Sequence, residues 1–237
     1  MTRILFAAAE QEELLCAQHV CKLLKKEAEG RCEFNFVLTG IGATSACYTI
    51  LKTIMEARFN KKPYDLVINI GIAGSYDSEG AFPNGTALLV EKEYFADLGF
   101  ETLFGFQTLF QAETLDSNAF PFKNGALERF VFDKETEKFL TSKFNSGTGV
   151  TVQTITGSKQ RKEELIELFH ADVESMEGAS AFYVCLMEHL PFMEIRTISN
   201  SVGESDRSKW DAAKALSSLK DSVHIICNYY ISLRKTN

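Results

Sequence analysis

Residues 69–75 read Asn-Ile-Gly-Ile-Ala-Gly-Ser (NIGIAGS) and close the nearly continuous apolar run DLVINIGIAG (65–74). A run this long without polar alternation predicts a strand buried on both faces, at the centre of a sheet covered by helices. It ends in small residues, which leave bare backbone beside the crevice where open α/β sheets bind ligands. Tight helix-on-strand packing needs small residues too, so the stretch decides the fold class while Ala73 and Gly74 remain candidate substrate-binding positions.

Working outward, short β-like runs alternate with helical patterns on both sides. RILFAAA (3–9) predicts a first strand. The following EQEELLCAQHVCKLLKKEAE (10–29) carries Leu14, Leu15, Cys21, Leu24 and Ala28 near helical spacing and stops at Gly30. EFNFVLTG (33–40) predicts a second strand and residues 41–59 a second helix. Beyond the centre come strands in TALLVEKEYFADLG (86–99), TGVTVQTITG (148–157), ADVES (171–175) and FMEIRTISN (192–200). Helices are predicted in SKQRKEELIELFH (158–170), in MEGASAFYVCLMEHL (176–190) up to Pro191, and from about residue 209 to 234. Residues 100–125 are rich in phenylalanine and lack periodicity, which predicts a long irregular region that is functional or covers something.

With four prolines, no Gly/Ser linker and no internal repeat, residues 1–237 are expected to form one α/β domain. The net charge of −7 comes without a basic run, which speaks against nucleic acid and anionic membranes as partners. No apolar stretch approaches the ~20 residues of a membrane span. The short ILFAAA runs directly into EQEE, unlike the apolar region of a signal peptide. The six cysteines form no CxxC pair, and the four histidines are scattered. Reduced thiols in a cytoplasmic protein, with no metal and no organic cofactor, are the expectation.

Gly40-Ile41-Gly42-Ala43-Thr44-Ser45 follows a strand and opens a helix, but it fails as a dinucleotide fingerprint. Ser45 replaces the third small residue, and the motif follows the second strand rather than the first. The carboxylates are more telling. Glu12 lies just past the first strand and Glu177 lies in ESMEGAS (174–180), between a strand and a helix. Either one alone fits a helix-dipole partner. With Asn200, at the end of EIRTISN, they place polar groups at three strand C-termini, as an active site requires.

NIGIAGS, DVESMEGAS and EIRTISN, in this order and spacing, resemble the nucleoside phosphorylase/nucleosidase superfamily over nearly the whole chain. The resemblance implies a central mixed β-sheet flanked by helices and cleavage of an N-glycosidic bond. It also implies that Met176 packs on a ribose, that the Glu177 carboxylate takes the ribose hydroxyls, and that Glu12 is the general base toward water. Ile155 joins the substrate-binding candidates. Relatives of this fold are often homo-oligomers, with a dimer favoured. FADLGFE (95–101) and RTISNSVGESDRSKWDAAKAL (196–216) are closer to one branch, the futalosine hydrolases of menaquinone biosynthesis. The chain departs from the methylthioadenosine nucleosidases at Ile72, where those carry serine, and at Asn200, where they carry the catalytic aspartate.

An asparagine suits a 6-oxopurine. Hypoxanthine protonated on N7 presents a donor beside the O6 acceptor, and an amide matches both. The acidic run Glu-Gln-Glu-Glu after the first strand opposes a phosphate nucleophile, so water is expected. The carboxylated tail of futalosine calls for apolar surface and a cation. Phe100, Phe104, Phe106 and Phe110, with Arg207 and Lys209, are the candidates, while Trp210 is expected to anchor the last helix. The alternatives are an aminofutalosine or methylthioadenosine nucleosidase, or a non-catalytic purine-nucleoside binder on the same fold.

Overall fold

The computed structural model describes residues 1–77, 80–103, 105–204 and 206–233. In chain order the elements begin with β1 (Thr2–Ala8), α1 (Gln11–Leu23), α2 (Lys25–Ala28), β2 (Cys32–Leu38), α3 (Ala43–Phe59) and β3 (Leu66–Ser75). Then come β4 (Ala87–Phe95), β5 (Gly99–Thr102), β6 (Gly105–Thr108), β7 (Leu127–Glu128), α4 (Lys134–Lys143) and β8 (Asn145–Thr151). The chain closes with α5 (Lys159–Phe169), β9 (Val173–Ser175), α6 (Gly178–Met187), β10 (Phe192–Ser201), a 3-10 turn at Arg207–Lys209 and α7 (Ala212–Leu233).

The sheet is mixed, and β3 sits at its centre as its unbroken apolar run predicts. It pairs in parallel with β1 and β10 and antiparallel with β9. Strand β8 pairs in parallel with β9 and β4, and β4 runs antiparallel to β10. The strands β3, β10, β4, β8 and β9 therefore close on themselves, while β1 and β2 extend from β3 as an open wing. One face is covered by α1 and α7, whose Leu14, Val20, Leu219 and Ile226 pack on Ile4, Ile68 and Met193. The other is covered by α3 and α6 through Ile50, Ile54, Phe182 and Cys185. Among the described residues no helix is long and apolar enough to cross a membrane.

Three regions differ from the sequence expectation. Residues 100–125 are not wholly irregular: β5 and β6 form a hairpin with Gly99 opposite Thr108. Four-residue strands are too short to set up a period. Helix α4 has no counterpart in the apolar spacing of the sequence. Its sequence KETEKFLTSK buries only Thr136 and Leu140, and its start is fixed instead by Asp133, which accepts from the Glu135 and Thr136 amides. Strand β8 stops at Thr151, so Ile155 lies in the loop that follows rather than in a strand.

Candidate active site

The site forms where β1, β3 and β10 end side by side. Along β10 the register against β3 is Glu194 with Asn69, Arg196 with Gly71 and Ile198 with Ala73, and it shifts so that Asn200 stands opposite Gly74. This bulge at Ser199 re-aims the end of the strand. Gly74 leaves the room: a Cβ there would stand 2.9 Å from Val202 and 3.3 Å from Asn200 Nδ2. The Asn200 amide is oriented by its neighbours. Its Oδ1 accepts from the Ser199 hydroxyl at 2.7 Å, and its Nδ2 donates to the Ser201 carbonyl at 3.0 Å. Each amide atom keeps further hydrogen-bonding capacity.

Arg196 and Glu194 alternate along β10 and so share one face of it. Arg196 is 1% exposed, and its Nε donates to Glu194 Oε1 at 2.8 Å. Its Nη1 lies 3.8 Å from Glu177 Oε2, and Glu177 Oε1 accepts from the Gly42 amide at 2.9 Å. Gly42 precedes α3 at a φ of +92°, so the glycine loop after β2 is a ligand of Glu177 rather than a phosphate cradle. Glu13 closes the group from α1. Its Oε1 accepts from the Ile72 amide at 2.9 Å and its Oε2 from the Glu10 amide at 3.0 Å. Gly71 is where these side chains meet, since a Cβ there would stand 2.2 Å from Arg196 Nη1 and 3.0 Å from Glu13 Oε1.

Burial pushes the Glu13 carboxyl above its ordinary pKa, more than Arg196 and the two amide bonds pull it down; nearby Glu177 adds to the rise. Burial works against the Arg196 charge, yet Glu194, Glu177 and Glu13 together hold its pKa above the ordinary value. The result is a buried cation among several carboxylates, one of which is a stronger base than a free glutamate.

The expected residues separate into two groups. Ala73, Gly74, Glu177 and Asn200 come together at these strand ends, with Met176, half-buried, directly before Glu177. Glu12 stands apart from them. It is exposed and makes no side-chain hydrogen bond among the described residues, whereas Glu13, one residue on, is buried against Ile72 and Arg196. The reason is helical phase: Glu13 lines up with Ala17 and Val20 on the buried face of α1, and Glu12 with exposed Leu15 and His19. That phase was readable from the apolar spacing.

Arg196 was also readable, as a charge inside an apolar strand two residues after another. The link from Gly42 to Glu177 was not readable, because it joins segments 135 residues apart. Ile155 is exposed, on a loop held by the Thr156 amide donating to Glu174 and passing Gln153 close to Gly42.

Arg207 is not brought to the group; it is exposed, with its guanidinium 5.6 Å over the Trp210 ring. Of the phenylalanines, Phe106 lies 4.8 Å beneath Arg161 and Phe110 packs edge-on against Phe122, so both are engaged. Phe100 is exposed, and Phe104 lies outside the described residues. A cavity of about 570 Å³ opens between the β5–β6 hairpin and the start of α5, lined in part by Asp97, Glu101, Phe106 and Arg161. It contains none of the residues around Arg196.

Comparison with known proteins identifies the family. The model of the phosphorylase superfamily matches residues 9–228. A futalosine hydrolase of Streptomyces coelicolor is 30% identical over 80% of this chain and 77% of its own length. One from Thermus thermophilus is also 30% identical, over 80% of this chain and 79% of its own. Among solved structures, a futalosine hydrolase mutant of Helicobacter pylori superposes with a TM-score of 0.72 at 19% identity, covering 98% of this chain and 99% of that one, and so shares the fold. The chain belongs to the phosphorylase superfamily, and within it to the futalosine hydrolase family.

Proposed function

We propose that this protein hydrolyses the N-glycosidic bond of futalosine, giving hypoxanthine and dehypoxanthine futalosine. The observation that carries the reading is the buried group of Glu13, Glu177 and Arg196 at Gly71, with the Asn200 amide beyond Arg196 on β10. Gly71 and Gly74 are three residues apart on β3, or roughly 10 Å, a span suited to a nucleoside laid across the strand ends.

Glu13 replaces Glu12 as the general base. Its raised pKa favours taking a proton from water, whose oxygen then bonds to the anomeric carbon as the base departs. The sugar becomes cationic as the bond breaks, and the carboxylates of Glu13 and Glu177 stabilise that charge. Glu177 also accepts from the ribose hydroxyls, with Met176 as an adaptable apolar floor beneath the sugar. Arg196 orients the two carboxylates. Ala73, Gly74 and Ile155 are assigned to the base side of the site. The leaving hypoxanthine takes a proton at N7 from solvent, since an amide is no acid; the Asn200 oxygen accepts from that N7–H, and its remaining N–H donates to O6.

Water rather than phosphate is the nucleophile. The buried cation of the group is already faced by Glu13, Glu177 and Glu194. An incoming phosphate would meet like charges, each repelling it by about 4 kcal/mol at ~4 Å and an effective dielectric near 20.

Residues 1–237 act as one domain, and two copies form the working unit. Tyr48, Leu51, Met55 and Phe59 support that pairing. They follow one another at helical spacing along α3 and are exposed, Phe59 to 88%. Six cysteines in no disulfide among the described residues, with the Cys21 and Cys227 thiols in a hydrogen bond at 3.8 Å between sulfurs, support a reducing, cytoplasmic compartment.

The test is to incubate the protein with futalosine, aminofutalosine, inosine and methylthioadenosine and to identify the products. Release of hypoxanthine from futalosine with the highest kcat/KM supports the reading. A preference for aminofutalosine or methylthioadenosine would replace it with the amino-purine alternative. Absence of any free purine would leave a nucleoside-binding protein.

A further inference from the structure

Glu93 on β4 and Glu194 on β10 have no exposed surface, and their carboxyl groups meet. A Cβ on Gly178, the first residue of α6, would stand 2.2 Å from Glu93 Oε1 and 2.7 Å from Glu194 Oε1. Two buried carboxylates this close do not both ionise, and their other partners show which one carries a proton. Glu194 receives the Asn69 amide at 2.7 Å and Arg196 Nε at 2.8 Å, so it is the ion. Glu93 Oε2 accepts from the Thr151 hydroxyl at 2.9 Å, and that hydroxyl itself accepts from the Ala179 amide at 2.7 Å. Among the described residues, Glu93 Oε1 meets no donor. A buried oxygen left as an orphan acceptor is unfavourable, whereas an O–H at that position has the Glu194 carboxylate in front of it.

We propose that Glu93 is held as a neutral acid whose hydroxyl donates to Glu194, and that it is thereby a positioning residue for Arg196. The positioning role rests on the reading of Arg196 given under the proposed function. With Asn69 and Glu93 donating from other directions, the Glu194 carboxylate cannot turn, so it fixes the plane of the guanidinium it holds. That plane aims Nη1 at Glu177 and at the Gly71 gap shared with Glu13. Burial and the neighbouring Glu194 charge both push the Glu93 pKa well above the ordinary range, in keeping with a neutral acid.

The proposal makes the two carboxyls unequal. Gln at position 93 preserves both bonds, its oxygen accepting from Thr151 and its nitrogen donating to Glu194. Gln at position 194 would place its own NH₂ among three arriving donors. Glu93→Ala and Glu194→Gln should each lower kcat on futalosine by about a hundredfold, the scale of a misplacement near 1 Å, with KM little changed. Glu93→Gln should rescue most of the loss.

Infrared spectra at neutral pH should show a protonated-carboxyl stretch in the wild type that is absent from Glu93→Gln. This second measurement needs no turnover and holds whatever the substrate, so a wrong substrate and a wrong proton assignment are told apart. A wild type lacking that band, or a folded Glu93→Gln as impaired as Glu93→Ala, would overturn the proposal.

Discussion

The buried group around Arg196 and the rim made by the β5–β6 hairpin and the Arg207 turn hold their charges in opposite ways. In the first, Arg196, Glu13, Glu177 and Glu194 are buried, and each is tied to backbone or side chain from another element. In the rim, Arg161 is shared by Asp97 and Glu164, Lys209 pairs with Glu204, and Arg207 rests on Trp210, all with substantial exposure. Removing one partner of a buried pair costs about 3–5 kcal/mol, whereas an exposed pair contributes ~0–1 kcal/mol. The proposed chemistry falls where geometry is over-determined, and substitutions in the rim should cost the fold little.

The largest effect expected from that contrast falls on Glu13. Glu13→Gln should lower kcat by about 10²- to 10⁴-fold, the usual value of general-base help, while Glu12→Gln should turn over at nearly the wild-type rate. A folded Glu13→Gln with normal turnover, measured by hypoxanthine release, would break the comparison at its centre. The pH profile should agree with it. Glu13 must be ionised to accept a proton, so kcat/KM should fall with decreasing pH through a value above the ordinary carboxylate range. Glu13→Gln should lack that acid limb.

Glu177→Ala comes next. Loss of a charged acceptor is worth ~1.5–3 kcal/mol, or about 10- to 150-fold in kcat/KM, and substrates without ribose hydroxyls should already show part of that loss in the wild type. Asn200→Asp sharpens the question of the base. An ionised aspartate would set the carboxylate oxygen that replaces Nδ2 against both the Ser201 carbonyl and O6, so the ratio of kcat/KM for futalosine over aminofutalosine should fall. An unchanged ratio would remove Asn200 from base selection. The smallest effect belongs to the rim: Arg207→Ala should raise KM for futalosine by no more than about fivefold, as for a solvent-screened cation, and leave inosine unaffected. Equal changes for both substrates would show that Arg207 does not meet the tail.

The same contrast explains what could be read in the sequence. The run 65–74 placed β3 at the centre because a strand buried on both faces has no room for polar alternation. Glu177 and Asn200 stand out in the sequence because they end separate apolar strands, and the structure places both strand ends beside β3. Between Glu12 and Glu13, the spacing of Ala17 and Val20 puts Glu13 on the buried face of α1. Glu93 and Glu194 were hidden for a different reason. A buried charge is recognised only through its partners, and Thr151, Asn69 and Gly178 lie 58, 125 and 16 positions from the carboxylates they meet. Helix α4 and the β5–β6 hairpin were illegible because caps and close backbone contacts, not apolar period, define them.

The central claim is that this buried group directs water, and not phosphate, to the anomeric carbon of futalosine. Turnover in heavy-oxygen water, with and without added phosphate, tests it most directly. The account predicts hypoxanthine and a dehypoxanthine futalosine whose new anomeric hydroxyl carries the solvent label, at a rate that phosphate does not raise. A phosphorylated sugar product, or turnover that requires phosphate, would contradict it.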